Sequence, residues 1–241
     1  MIPDKEPRYE LPRRSFIAGL AALPVVGCAD SEVAVVRYRV IATVNVDHKL
    51  VQASTVMEAR YVRVKHSLSG AGGATRLYGE ALIFDLPGGR TFFILPIEHQ
   101  ETNALVSVWE TAILRTLGVT SGIGSLSDAD LIRLSTASGR LPFQYFGRFP
   151  AFISFDDEHD PKSIVEVDPQ NLGRKFFGTT FQSLEVEITD QPVTERLRAR
   201  LPWLNSKQQV FERPPSGLAH LSDPLIGHHI TTAHFFGSGS R

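Results

Sequence analysis

From Val33 onward apolar and polar residues alternate with a period of two. Val36, Tyr38, Val40, Ala42, Val44 and Val46 fall on one side, and Arg37, Arg39, Ile41, Thr43 and Asn45 on the other. Successive side chains of a strand point to opposite faces, so this pattern predicts a half-buried β-strand. Asp47-His48-Lys49 reads as a hairpin turn, and the return run from Leu50 to Val64 carries Val56, Glu58, Arg60, Val62 and Val64. It ends in the Gly-rich loop Ser69-Gly70-Ala71-Gly72-Gly73. Two further β-rich runs, Leu77 to Leu86 and Thr91 to Ile97, are joined by Pro87-Gly88-Gly89, a second hairpin signal. These four segments are expected to form one antiparallel sheet.

The period changes after Glu98. Leu105, Val108, Trp109, Ala112, Ile113 and Leu117 recur at helical spacing, and Gly118 supplies a stop. Ser127 is placed to cap a short helix over Asp128 to Ser135, with acidic residues in its first turn. Phe149 to Phe155 and Phe181 to Ile188 read as strands. Asp168-Pro169 reads as the start of a short helix that stops near Gly178, because the carboxylate accepts from free amides and proline has none to leave unpaired. A charged helix is expected from Pro192 through Arg200, ended by Leu201-Pro202-Trp203. Beyond Asn205 the Pro, Ser, Gly and His content suggests a tail that wraps the domain or stays mobile. The expected fold is α+β: an antiparallel sheet with a few short helices packed on it, as a single domain over residues 28–204 with a tail at 205–241. No internal repeat at a fixed period is present.

Residues 1–27 stand apart and read as an export signal. Pro12-Arg13-Arg14-Ser15-Phe16-Ile17 resembles the twin-arginine signals of bacteria, with Arg13 and Arg14 directly before an apolar stretch. Phe16 to Gly27 falls short of the roughly 20 apolar residues that cross a bilayer. Val25-Val26-Gly27-Cys28 resembles the lipobox of bacterial lipoproteins, which makes Cys28 the expected lipid attachment site and new N-terminus. The alternative is ordinary cleavage after Ala29, since Gly27-Cys28-Ala29 also fits the small-x-small rule. The first reading places the protein on a membrane, facing the periplasm; the second makes it soluble and periplasmic.

Charge and cysteine content narrow the chemistry. Twenty-five Lys and Arg against 26 Asp and Glu leave a formal charge of -1. That provides no broad basic field for a phosphate backbone, so no nucleic-acid partner is expected. A single Cys excludes an intrachain disulfide framework and thiolate-held zinc or iron–sulfur sites. No cofactor is expected. The densest polar cluster is Asp156-Asp157-Glu158-His159-Asp160, which follows a strand and precedes Pro161. Asp156, Asp157, His159 and Asp160 are candidate metal ligands because hard cations take oxygen ligands on turns. The competing reading is a solvated turn, as the Gly and distal Glu of a helix–loop–helix calcium site are missing. His228, His229 and His234 make a weaker cluster without the Glu of a zincin helix, and Trp109 and Trp203 read as packing residues. No G-x-S-x-G elbow is present.

Three stretches carry a family resemblance. They are Gly79-Glu80-Ala81 with Asp85-Leu86-Pro87-Gly88-Gly89-Arg90-Thr91 and Phe93; Phe155-Asp156-Asp157 with Asp160-Pro161-Lys162-Ser163, Val167-Asp168-Pro169 and Leu172; and Glu187-Ile188-Thr189-Asp190 with Pro192-Val193-Thr194 and Leu201-Pro202-Trp203-Leu204. Together they resemble a group of uncharacterised proteobacterial proteins, mainly alphaproteobacterial. The resemblance implies one domain from Arg37 to Leu204, with residues 156–169 as an acidic turn and a capped helix, and it brings no catalytic residues. The functional expectation is an exported, membrane-anchored lipoprotein that binds or scaffolds in the cell envelope, with an envelope protein as possible partner, and not an enzyme. The alternative is a metal-assisted hydrolase using the turn at 156–160.

Overall fold

The computed structural model describes residues 31–64, 73–99, 105–106, 109–144, 149–206, 210–211 and 226–240. Arg13, Arg14, Cys28 and most of the Gly-rich loop, residues 69–72, lie outside the described residues. The alternation after Val33 becomes two 16-residue strands, β1 (Ser31–Val46) and β2 (Lys49–Val64), paired antiparallel from end to end. The two-residue turn between them holds Asp47 and His48 at φ 48° and 68°. Both central residues in the left-handed region match the twist of the flanking strands, which is why the hairpin stays in register over its whole length. Val36, Tyr38, Val40, Ala42 and Val44 are buried as the alternation requires.

The expectation of one four-stranded sheet is corrected. Residues 77–86 are not one strand: β3 (Gly73–Tyr78) pairs with β2, while β4 (Leu82–Leu86) pairs with β5 (Arg90–His99) in a different sheet. The break is at Gly79, whose φ of +120° is open to glycine and strained for other residues. A Cβ there would also lie 2.5 Å from Met57 Sδ. The chain therefore leaves one sheet and enters the other within three residues.

The short strands β6 (Leu105–Val106), β7 (Arg140–Pro142), β8 (Pro150–Phe155) and β9 (Ile164–Glu166) and the longer β10 (Thr179–Ile188) complete two antiparallel sheets. The first runs β3-β2-β1-β10-β7; the second runs β4-β5-β8-β9, with β6 on β5. They pack face to face through Tyr38, Met57, Tyr61, Phe84, Phe92 and Phe152, closed at one end by α1 (Trp109–Thr116) and α2 (Asp128–Ser135). Ser127 forms a capping box with Asp130, as its position predicts. The helix expected from Leu105 begins only at Trp109, because Leu105 and Val106 bond to β5. The helix after Asp168 is a 3-10 segment, Pro169–Arg174, capped by the Asp168 carboxylate. The helix expected from Pro192 shortens to α3 (Leu197–Arg200), since Thr194 instead exchanges hydrogen bonds with the backbone of Val56.

β5 is buried on both faces. Phe92 and Ile94 point toward the first sheet, and Phe93, Leu95 and Ile97 enter a second core with Leu197, Leu201, Phe211, Ile226, Ile230 and Phe235. Pro96 cannot donate to the ladder, and the β5–β8 register shifts between Ile94 and Glu98. Residues 226–240, with α4 at Ile226–His229, thus form part of a third layer. Phe235 is fully buried against Phe155, Trp203 and Phe211. Its truncation in Phe235→Ala is expected to cost about 3–5 kcal/mol in denaturant unfolding; a loss under about 1 kcal/mol, the range of surface changes, contradicts a structural role for the C-terminal layer.

Candidate binding cleft

The outward face of the first sheet carries the polar half of the hairpin alternation. The register places Arg37 opposite Glu58 and Tyr38 opposite Met57. Arg60 lies two residues beyond Glu58 on the same face of β2. Glu58 is almost fully buried between the two guanidiniums. Arg37 Nη2 is 2.5 Å from Oε2, and Arg60 Nε and Nη2 are each 2.7 Å from Oε1, so each carboxylate oxygen has its own cation. Burial by itself raises the Glu58 carboxyl, and the hydrogen bonds and charges of Arg37 and Arg60 overcome it, holding the group below the ordinary carboxylate value.

The sheet switch supplies the facing wall. Glu80, directly after Gly79, is buried and accepts from Arg196 N at 2.6 Å and Leu197 N at 2.9 Å, the amides that lead into α3. Burial pushes its carboxyl up; the two amides and Arg196 oppose the shift without cancelling it. The C-terminal segment runs alongside: Ala81 N donates to Phe235 O, Gly237 N to Gly79 O and Gly239 N to Leu77 O. Gly239 passes so close to Tyr78 that a Cβ would stand 2.8 Å from its ring. The Arg60 guanidinium sits 4.6 Å from the Tyr78 ring centre, and Arg198 sits 4.3 Å from that of Phe236.

These residues enclose a cleft of about 640 Å³, with Arg37, Arg60 and Arg198 balanced by Glu58, Glu80 and Glu195. Two guanidinium–aromatic stacks and a neutral charge balance suit a polar ligand that brings both signs, not a bare anion. The aliphatic hydroxyls of the cleft are tied to backbone groups. The Thr194 hydroxyl accepts from Val56 N, the Ser240 hydroxyl is bonded to the Gly79 backbone, and among the described residues no His or Cys lines the cleft.

The acidic turn lies elsewhere, beside a second cleft of about 590 Å³. Asp156 pairs with Lys175, Asp157 Oδ1 accepts from His159 N at 2.9 Å, and Asp160 Oδ1 accepts from Lys162 N at 3.0 Å. Glu158 is held by Arg200, and Trp203 Nε1 donates to Glu158 O at 2.8 Å. The carboxylates thus pin their own loop and meet cations. Among the described residues no three His, Cys, Asp or Glu side chains converge as an ion would require. His228 and His229 lie in α4, and His234 Nδ1 accepts from Thr231 N. Trp109 is fully buried in the first core and Trp203 packs in the second.

A buried polar group inside the sandwich also escaped the sequence pattern. Tyr61 Oη donates to Glu110 O at 2.8 Å, and Ser238 Oγ donates to Glu110 Oε1 at 3.0 Å. Burial drives the Tyr38 hydroxyl far up, with Glu110 adding to the effect, so it stays neutral.

No family model, curated protein or solved structure matches this chain. No helix among the described residues is long and apolar enough to cross a membrane.

The two carboxylates give opposite pH signatures. Glu58, with its lowered folded value, contributes stability above its unfolded pKa that is lost as pH falls through the folded value. Glu80, with its raised value, makes stability fall as pH rises from the unfolded pKa to the folded one. Unfolding free energy measured against pH should therefore lose its acid-side fall in Glu58→Gln and its higher-pH fall in Glu80→Gln. Each substitution should also cost about 1–3 kcal/mol near neutrality by taking a buried charged acceptor away from the donors that meet it. Curves parallel to wild type would contradict both assignments.

Proposed function

We propose that this chain is an exported bacterial protein, held on a membrane by acyl chains on Cys28, that works in the cell envelope by binding rather than catalysis. The Arg37–Glu58–Arg60 clamp at the floor of the cleft carries the binding reading. A carboxylate arriving in the cleft competes with Glu58 for guanidiniums already oriented, and Glu195 and Glu58 accept donors from the same ligand. A segment or chain end of an envelope protein has this chemistry, and the stacks of Arg60 on Tyr78 and Arg198 on Phe236 offer flat surfaces to its side chains. The anchor reading is supported by Arg13-Arg14, the short apolar run after them and Val25-Val26-Gly27-Cys28. Several acyl chains at roughly 0.8 kcal/mol per buried methylene hold a folded domain firmly on a bilayer.

The test is intact mass, denaturing and then native, of the protein purified from the membrane fraction of its host. A chain beginning at Cys28 with added acyl mass is the expected result. A chain beginning at Asp30 would remove the anchor and leave a soluble periplasmic protein, and a chain still beginning at Met1 would contradict export. Under native conditions a bound polypeptide is expected, lost in Arg37→Ala; retention of that partner by the variant would move binding away from the cleft.

A further inference from the structure

We infer that the open end of the β1–β2 hairpin is a membrane-docking face, shaped for a bilayer surface that carries anionic lipid. This rests on the anchor reading above. Strand register arranges the outward side chains in rows. Next to the Ser31–Val64 pair that ends the hairpin comes a row of Val33, Val62 and Ala74; then Val35, Arg60 and Arg76; then Arg37, Glu58 and Tyr78 in the cleft. Val33 and Val35 are 55% and 47% exposed, and Ala74, Arg60 and Arg76 are also exposed. An apolar tip backed by Arg76, with the Glu58-paired Arg60 beside it, is the order that an interface demands, with alkyl groups at the acyl boundary and the Arg76 guanidinium at the phosphates.

The tether fixes which end meets the lipid. Only three residue steps separate Cys28 from the first residue of β1, a reach of about 11 Å at most. Acyl chains on Cys28 therefore bring the valine rows to headgroup depth. They leave the cleft row about 13 Å further from the surface, at four residues along the strand. The opposite end of the hairpin carries the competing apolar patch, Leu50 and Phe177 at 69% and 87% exposure. Twelve residues of strand hold the Leu50 row about 40 Å from the Val33 row, beyond the reach of the anchored bilayer.

The experiment labels the processed protein from its host. The chain has one Cys. That thiol is acylated in a chain starting at Cys28 and absent from one starting at Asp30, so an engineered thiol is the only free one in either form. Val35→Cys and Leu50→Cys are each coupled to an environment-sensitive fluorophore and mixed or reconstituted with vesicles. One set is phosphatidylcholine alone; the other contains about one third phosphatidylglycerol, enough to attract interfacial arginines. The expected result is a blue shift, with quenching by spin-labelled lipid, at position 35 only. The effect should be strongest on the anionic vesicles and several-fold weaker in Arg76→Gln or at high salt. Equal responses on both vesicle types would overturn the role of the arginines. A response at position 50, or at neither position, would overturn the docking face. A response at 35 in a chain whose mass lacks acyl groups would keep the face and reject the anchor.

Discussion

The carboxylate of Glu80 is the interaction on which this architecture turns. Gly79 lets the chain bend out of the first sheet, and Glu80 then ends up buried where the second sheet begins. A buried carboxylate is costly unless hydrogen-bonded, and this one takes the amides of Arg196 and Leu197. The same three residues, 79–81, exchange backbone hydrogen bonds with Phe235 and Gly237, and Glu80 O accepts from Thr55 Oγ1 at 3.2 Å. One short crossing therefore ties the hairpin, the second sheet, α3 and the C-terminal segment together.

That junction makes three layers of two sheets. With α3 and the C-terminal segment fixed against residues 79–81, Leu197, Leu201 and Phe235 cover the outer face of β5 and β8. The cleft is a by-product of the same geometry. One wall is the charged face of the hairpin, and the other is what the junction brings up: Thr194 to Arg198 and Phe236 to Ser240. Substituting a cleft residue on the second wall therefore risks the third layer, whereas Arg37 and Arg60 can be changed with less structural consequence.

Much of the fold was legible because local chemistry decides it. The alternation of β1, the Ser127 cap and the Asp168-Pro169 start all appear where the residues place them. The sheet switch was hidden because Leu77 to Leu86 is β-favourable throughout, and only the φ of Gly79 divides it. The clamp was closer to hand. A two-residue turn at Asp47-His48 fixes the pairing sum, so Arg37 must face Glu58; taking Lys49 into the turn loses that register. The other wall of the cleft depends on contacts between residues more than 100 positions apart, such as Gly79 with Ser240 and Glu80 with Arg196, which no local pattern encodes. The acidic turn at 156–160 stands out in the sequence by charge density, yet its carboxylates are occupied by its own amides and by Lys175 and Arg200.

Charge is graded along the outward face of the first sheet. Arg76 and the Glu58-paired Arg60 lie nearest the open end of the hairpin, carboxylate-paired Arg37, Arg39 and Arg140 follow, and the turn end is neutral around Thr43, Gln52 and Leu50. The cleft lies along that gradient, between the open end of the hairpin and its turn end. All of it presupposes that residues 79–81 hold the layers as one unit. Native-state hydrogen exchange at the Arg196, Leu197, Ala81 and Gly237 amides measures this directly. These amides should open only with global unfolding, at the same free energy as the central amides of β1 and β10. Exchange of the four through a lower-energy opening, while β1 and β10 stay protected, would show that the C-terminal layer is an independent flap and that Glu80 does not join it to the sheets.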